Sequence, residues 1–172
     1  MREFDFSGSR LSTRASPARP LHLQEKVMDL SSPGAILLVS CYELGHQPVG
    51  VAMPSGFLRQ AGFAPTAMDI AVEPFNEEKA IQARFVGISV PMHTAMRMGV
   101  RVIERIREIN PACHICCYGL YAMLNSDYLL QHGADSCIGG ESESPLVSLV
   151  QSLAAETGEP VAGVIVPGSP AR

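Results

Sequence analysis

The sequence predicts a doubly wound α/β fold, in which helices cover both faces of a five-stranded parallel sheet. From residue 35 onward, five apolar runs of four to six residues, the length of strands, alternate with helical patterns. Parallel strands need crossover connections, which the intervening helices supply and which are right-handed in nearly all proteins. The predicted strands are residues 35–40, 66–70, 85–90, 114–118 and 135–138.

The helical patterns lie between these strands. The clearest pattern follows the third strand, begins with Thr94 as its predicted N-cap and stops before Pro111. Its apolar residues recur at spacings of three and four, at Ala95, Met98, Val102, Ile106 and Ile109. A second helix is predicted to have Pro54 in its first turn and to stop at Gly62. A third is capped by Asn76, a fourth covers residues 125–133, and the last has Ser144 as its cap before Pro145.

Composition limits the classes of protein to consider. The chain has 172 residues, of which 47% are hydrophobic and 17% are charged, and this suits one globular domain. Its formal net charge is −4 and no basic cluster marks one face, so we expect no nucleic-acid partner. No apolar run approaches the ~18 residues of a membrane span, and the first twenty residues lack a signal core. We therefore expect a soluble, cytoplasmic protein that does not bind membranes.

The chain divides into three parts. Residues 1–33 are rich in Ser, Arg and Pro without periodicity and are predicted to form a flexible leader. Residues 34–156 hold the α/β repeat, and residues 157–172 are interpreted as a linker toward a domain that this chain lacks. The five cysteines are an odd number without an export signal, so we expect buried, reduced thiols rather than a disulfide framework or a metal pair.

Two polar loops are predicted to meet at the carboxyl edge of the sheet. Five such units favour the flavodoxin-like, Rossmann-like strand order 2-1-3-4-5, whose ligand crevice lies where strands one and three end. Strand one is followed by "CYELGHQPVG" with His46, and strand three by "SVPMHT" with His93. The crowding of polar groups and glycines after strand one therefore predicts one wall of a ligand site.

The motifs of several ligands of this fold are absent. The chain has no GxxxxGK[ST] loop and no GxGxxG after strand one. A phosphoacceptor domain would have acids after strand one and a lysine after strand five. In this chain residues 41–43 are Cys-Tyr-Glu and residues 139–141 are Gly-Gly-Glu, so phosphoryl acceptance is not expected. A flavin remains physically allowed, although "CYELGHQPVG" is a poor phosphate cradle. A corrinoid with a nucleotide tail fits better, because Gly87, Gly139 and Gly140 allow close approach to the backbone.

Five segments carry a family resemblance: "YELGHQPVG", "LRQAGF", "PMHTAMR", "YGLYAMLNSDYL" and "GGESE". Through them, roughly residues 35 to 155 resemble the cobalamin-binding domain of cobalamin-dependent radical S-adenosylmethionine (SAM) proteins, closest to the CUAEP/CCAEP-tail subfamily. The resemblance implies a bound cobalamin whose tail enters a slot, with Ser89 near its lower base and Gly139 and Gly140 beside the tail. The residues expected to contact the cofactor are Tyr42, Glu43, Leu44, Gly45, His46, Gln47, Gly50, Ser89, Val90, Pro91, Met92, His93, Tyr118, Gly119, Tyr121, Gly139, Gly140 and Glu141.

The sequence departs from two related motifs. The cobalt-ligating pattern DxHxxG, placed on His46, finds Leu44 and Val49 instead of Asp and Gly. His46 is therefore left with three roles: a cobalt ligand in another geometry, a hydrogen-bonding partner of a corrin amide, or a loop cap. Radical SAM chemistry needs CxxxCxxC, and position 120 after Cys113 and Cys117 is leucine. We expect no iron–sulfur cluster in this chain and no independent catalysis, only a binding module whose partner is a radical SAM domain.

Simpler interpretations apply to several of these residues. His93 precedes a helix and could serve only to cap it, and Glu141 lies where a helix dipole favours an acid. Of Tyr118 and Tyr121, one is expected to line the crevice and the other to pack, and His114 and His132 are expected to be structural. The alternative function is a ligand-free interaction or scaffold domain of the same fold.

Overall fold

A computed structural model describes residues 29–43 and 46–169. The sheet has six strands in the order β2-β1-β3-β4-β5-β6, and the first five are parallel. The strands are β1 Ile36–Ser40, β2 Thr66–Asp69, β3 Phe85–Ser89, β4 His114–Tyr118, β5 Ser136–Ile138 and β6 Val164–Ile165. This arrangement confirms the predicted fold class and strand order, with a sixth strand added.

Six helices among the described residues connect and cover the strands. They are α1 Val49–Gln60, α2 Glu77–Gln82, α3 His93–Ile109, α4 Leu120–Leu124, α5 Ser126–Gln131 and α6 Glu143–Ala154. The amphipathic pattern of α3 buries seven of its residues, among them Ala95, Val102 and Ile106. Asn76 caps α2 as predicted, because its side chain accepts a hydrogen bond of 2.9 Å from the Lys79 backbone N–H.

The two faces of the sheet have separate cores. Alternate strand residues point to opposite faces, so Leu37 and Val39 pack with α2 to α5, whereas Ile36 and Leu38 pack with α1 and α6. Leu30, which we assigned to the leader, is 1% exposed in this second core. The packed domain therefore begins before residue 34, and residues 1–28 of the predicted leader lie outside the described part of the chain.

Three predicted helix starts were wrong. Helix α1 begins at Val49, so Pro54 lies inside it rather than in its first turn. Helix α3 follows Met92 rather than Thr94, and α6 follows Ser142 rather than Ser144. In α3 and α6 the helix begins two residues before the start that the predicted cap implies, and neither observed N-cap side chain makes a capping hydrogen bond. In α1, Tyr118 of strand β4 donates the hydrogen bond that Pro54, which lacks an N–H, cannot form.

The β6 strand lies inside the segment that was interpreted as a linker. It pairs antiparallel with β5, Cys137 opposite Ile165 and Ile138 opposite Val164. A two-residue strand has no detectable period, which is why the sequence did not reveal it. At the other edge of the sheet, the Lys79 ammonium donates a hydrogen bond of 3.0 Å to the Ala67 carbonyl of β2.

Side chains that the sequence suggested were structural have structural partners. The His114 Nε2 lies 2.9 Å from Ser136 Oγ, with the ring stacked on Phe85, and His132 Nδ1 lies 2.7 Å from the Tyr128 carbonyl. All five cysteines are buried and free, as expected: Cys41, Cys113, Cys116, Cys117 and Cys137. No helix in the described ranges is long and apolar enough to cross a membrane.

Candidate functional site

The carboxyl ends of four strands form one row on the α1/α6 face of the sheet, polar on β1, β3 and β4 and apolar on β5. The register places Ser40 beside Ser89, Ser89 beside Tyr118, and Tyr118 beside Ile138. Because Ile36 and Leu38 face α1 and α6, Ser40 faces them too, two residues farther along the strand. We call Ser40, Ser89, Tyr118 and Ile138 the carboxyl row.

Behind the carboxyl row, the next row of residues contains a glycine. Gly87 lies between Leu38 and Cys116 in register, one step inward on the same face. A Cβ added at Gly87 would lie 2.8 Å from Leu38 Cδ2 and 3.1 Å from Tyr118 Cε1. The missing side chain therefore leaves a depression in the sheet, and the Tyr118 ring lies over it.

Tyr118 is 1% exposed, and its hydroxyl donates a 2.6 Å hydrogen bond to the Gly50 carbonyl of α1. In a regular helix that carbonyl would accept from the residue four positions later, which here is Pro54 and has no N–H. The tyrosine thus satisfies a carbonyl that the proline leaves free. Burial is the main cause that raises the pKa of Tyr118 well above its usual value, so the hydroxyl stays a donor.

Glu43, in the loop after β1, is hydrogen-bonded both to helix α1 and to the end of strand β3. Its Oε1 accepts hydrogen bonds from the Gly50 backbone N–H at 3.2 Å and from Ser89 Oγ at 3.3 Å. A carboxylate is favoured there because the first turn of a helix carries free N–H groups and partial positive charge. Glycine at position 50 allows Glu43 and Ser89 to approach the helix backbone, because a Cβ at this position would collide with Ser89 Oγ.

Ser40 was missed by sequence reasoning, although its position was informative. It is 0% exposed, and its Oγ has no hydrogen-bond partner among the described residues. A buried hydroxyl without a partner is costly, so such a group calls for an explanation. A serine that ends the otherwise apolar strand "AILLVS", on the face of a predicted slot, was the available signal.

Glycines shape the second half of the edge. Gly119 has φ +110°, and a Cβ there would lie 3.1 Å from the Val90 carbonyl oxygen. Its backbone N–H donates to the Ile138 carbonyl at 3.0 Å, and the Tyr121 N–H donates to the Val90 carbonyl at 3.1 Å. Gly140 has φ +65° with no atom within 4 Å of an added Cβ. The edge is therefore tightly built at Gly119 and open at Gly140.

The remaining predicted site residues occupy several environments. Tyr121 is half-buried and meets the exposed His93 edge to face, with ring centroids 6.4 Å apart. Val90 is fully buried in the core of the opposite face, so its side chain turns away from the carboxyl row. Tyr42, Pro91, Met92 and Gly139 are half-buried; His46, Gln47 and Glu141 are exposed; Leu44 and Gly45 lie outside the described residues.

Two cavities lie on the α3 side. The larger, of about 420 Å³, is lined by Ile70, Phe75, Glu77, Met98, Arg101, Val102 and Arg105. Its neighbour, of about 160 Å³, includes His93 and is otherwise lined by Thr94, Arg97, Met98 and Arg101. The larger cavity contains none of the predicted cofactor-binding residues, and long side chains that can rotate form most of its walls. We therefore place the candidate site at the carboxyl row rather than in this cavity.

The fold and this edge define a doubly wound ligand-binding domain. The model of the B12 binding domain family matches residues 35–150, which is more than half of the chain. The chain therefore belongs to the B12-binding domain family. The family's description implies cobalamin as the ligand. A comparison with curated proteins finds no match.

Solved structures support the same fold. A radical SAM methyltransferase, TsrM from Kitasatospora setae, is similar with a TM-score of 0.64 at 15% identity, over 78% of this chain and 29% of that chain. A CheY-like receiver domain protein from Methanospirillum hungatei gives 0.55 at 17% identity, over 73% of this chain and 96% of that one. The chain thus spans less than a third of the methyltransferase, and at these identities the likeness concerns the fold alone.

Proposed function

We propose that this chain is a cobalamin-binding module that holds the corrin ring at the carboxyl edge of the sheet and the nucleotide tail between the sheet and α1. The family match over residues 35–150 carries the proposal, because it includes the whole carboxyl row. Two structural features fit a tail on this face: the depression at Gly87 and the unpartnered hydroxyl of Ser40. Bound cobalamin would supply cobalt chemistry, while the chain's own residues bind and orient it.

The direct test is reconstitution. The protein is incubated anaerobically with hydroxocobalamin, passed through gel filtration and examined by visible spectroscopy. We expect a coloured protein fraction with about one corrinoid per chain. A specific observation favours the alternative of a ligand-free scaffold domain: the buried Tyr118 ring lies over the depression at Gly87, with Cε1 3.1 Å from an added Cβ. A folded protein that elutes without colour at high ligand concentration would favour that alternative.

The contact region is proposed to run from the loop after β1, across residues 89–93 and Tyr118–Gly119, to residues 139–141. Replacing Gly140 with leucine should weaken cobalamin retention, because the side chain would project into the open space beside the tail. Gly140→Ala is the matched control, since both variants carry the same strain at φ +65°. Equal retention in the two variants would argue against this placement.

We propose that His46 does not bind cobalt. An acid two residues earlier would orient the imidazole, as in many metal sites, but that residue is Leu44. His46 is exposed, and its backbone N–H bonds the Glu43 carbonyl in a turn at 3.0 Å. In the cob(II)alamin form, we expect no nitrogen splitting in the electron paramagnetic resonance spectrum. A three-line pattern that disappears in His46→Ala would identify the histidine as the ligand.

The module is further proposed to serve a radical SAM domain and to lack catalysis by itself. The resemblance of the sequence and the fold-level likeness to a methyltransferase of that class support this proposal. Among the described residues, no group of three or more His, Cys, Asp or Glu side chains is arranged to hold a metal ion. Iron and sulfide above trace after anaerobic reconstitution of this chain would contradict the proposal.

A further inference from the structure

The space that the nucleotide tail would enter is filled by a residue of the protein itself. We call this space the α1 slot; it is bounded by Gly87, Ser40, Ser89 and Gly50 and contains the Tyr118 ring. The ring lies on the Gly87 depression with Cε1 3.1 Å from the position of an added Cβ. At 1% exposure, Tyr118 is one of the largest fully buried side chains among the described residues. A tail cannot occupy the slot while the ring remains there.

A hydrogen bond to helix α1 holds Tyr118 in the slot, and the proline in α1 is the reason that the acceptor is free. The Gly50 carbonyl accepts from Tyr118 Oη at 2.6 Å because Pro54 cannot donate to it. The other side of Gly50 is fixed as well, since its N–H donates to Glu43 at 3.2 Å. Opening the slot therefore breaks the bond between Tyr118 and Gly50, and leaves the Gly50 carbonyl without its partner.

We propose that Tyr118 sets how strongly this domain discriminates between corrinoids with and without a nucleotide tail. This inference rests on the proposed cobalamin-binding function. A corrinoid without the tail docks at the carboxyl edge with Tyr118 in place, whereas a corrinoid with the tail binds only to molecules whose slot is open. When the binding-competent state is a minor state, the apparent dissociation constant rises in inverse proportion to its population. Removing the bond to Gly50 therefore tightens binding of the tailed ligand selectively.

Two substitutions weaken the closed state in different ways. Tyr118→Phe keeps the ring but removes the hydroxyl, and Pro54→Ala provides the Gly50 carbonyl with a helical N–H donor. The second variant leaves every side chain of the slot unchanged and restores a regular helix, so it is expected to fold well. Tyr128→Phe is the matched control, because Tyr128 is 44% exposed on α5 and is not part of the slot.

The experiment measures dissociation constants of cyanocobalamin and of cyanocobinamide, which lacks the nucleotide tail, by absorbance titration of the whole chain. We expect Tyr118→Phe to tighten cyanocobalamin binding by about 2- to 10-fold, the usual range for one hydrogen bond. Cyanocobinamide binding should change less than about twofold, because the ring stays at the edge and the lost hydroxyl bonds Gly50 inside the slot, away from this ligand. Pro54→Ala should shift the ratio of the two constants in the same direction, and Tyr128→Phe should leave it at the wild-type value.

The outcomes distinguish a failure of the Tyr118 proposal from a failure of the cobalamin-binding function. An unchanged or lowered preference for the tailed ligand in Tyr118→Phe would overturn the proposal, as would equal changes for both ligands. Binding of neither ligand to any folded variant would instead reject the cobalamin-binding function itself. Circular dichroism melting curves of all four proteins establish that the compared chains are folded.

Discussion

The two faces of the sheet are made from alternate residues of the same strands, yet they differ at the carboxyl end. On the face toward α2 to α5, the sheet ends in tightly packed apolar side chains such as Ile88, Cys117 and Cys137. On the face toward α1 and α6, it ends in Ser40, Ser89 and Tyr118, beside a glycine. One face is therefore built for packing throughout, whereas the other combines polar groups with a glycine depression over which the Tyr118 ring lies.

The largest expected difference between the faces concerns added volume. Gly87→Ala places a methyl 2.8 Å from Leu38 Cδ2 and 3.1 Å from Tyr118, so it should lower the free energy of unfolding by about 2 kcal/mol. Gly99→Ala places its methyl 3.3 Å from Ile88 Cγ2 on the other face, where the helix propensity of alanine offsets the contact. Urea denaturation measures both values. A larger loss in Gly99→Ala would contradict the assignment of the slot to the α1 face.

A second prediction compares neighbouring thiols on opposite faces. Burial is the main cause that raises the pKa of the Cys116 thiol to about 12, and Cys116 lies two residues before Tyr118 on the same face. Tyr118→Ala removes the ring from the slot and should increase alkylation of Cys116 by iodoacetamide about tenfold. Cys117 and Cys137 on the other face should remain protected. Mass spectrometry of the peptides measures each rate, and an equal increase at all three thiols would indicate general unfolding instead.

Ser40 gives a smaller effect that separates binding from stability. Its hydroxyl has no partner among the described residues, so Ser40→Ala should leave the free energy of unfolding within about 0.5 kcal/mol of the wild type. If the hydroxyl serves the tail, the variant should bind cyanocobalamin about threefold more weakly and cyanocobinamide unchanged. Thermal unfolding and absorbance titration test the two halves. A strongly destabilised variant would show that Ser40 has a structural partner.

The smallest effect concerns pH. Desolvation by burial lowers the pKa of His114 below its ordinary value of 6.5. The unfolded chain therefore binds a proton at this site more readily, so this contribution to stability is complete above pH 6.5 and is lost as pH falls toward the folded-state pKa. We expect the decrease between pH 7.5 and 5.5 to be shallower in His114→Gln. Identical pH profiles, measured by urea denaturation, would show that His114 does not titrate differently on folding.

Much of this architecture follows from the sequence because it depends on local periodicity. The five parallel strands and the long helix α3 were predicted within one or two residues, since length and apolar spacing are strong signals. The start of α1 was not predicted correctly, because Pro54 normally marks a first turn. Its place inside the helix depends on Tyr118, which is distant in sequence. Whether Tyr118 or Tyr121 packs was likewise open, although the alternation of β4 puts Tyr118 on the face of Cys116.

The site was predictable as a place but not as a set of contacts. The carboxyl ends of β1 and β3 could be expected to meet, because the topology of a doubly wound sheet requires it. The hydrogen bonds of Glu43 to Gly50 and Ser89 could not, since they depend on where a helix begins after a loop. Ser40 was missed because a serine at a strand end is common and its lack of a partner is visible only in three dimensions.

The two outer edges of the sheet, β2 and the two-residue β6, differ from long free strands in ways that affect self-association. A free strand edge invites another chain to add a strand, which is a common route to aggregation. Here the antiparallel β6 covers β5, and the Lys79 ammonium blocks the Ala67 carbonyl on the outer side of β2. Among the described residues, a second chain would therefore meet a two-residue strand at one edge and a strand with one carbonyl already bonded at the other. Any protein that docks on this domain is expected to do so through helices and loops rather than by β-augmentation.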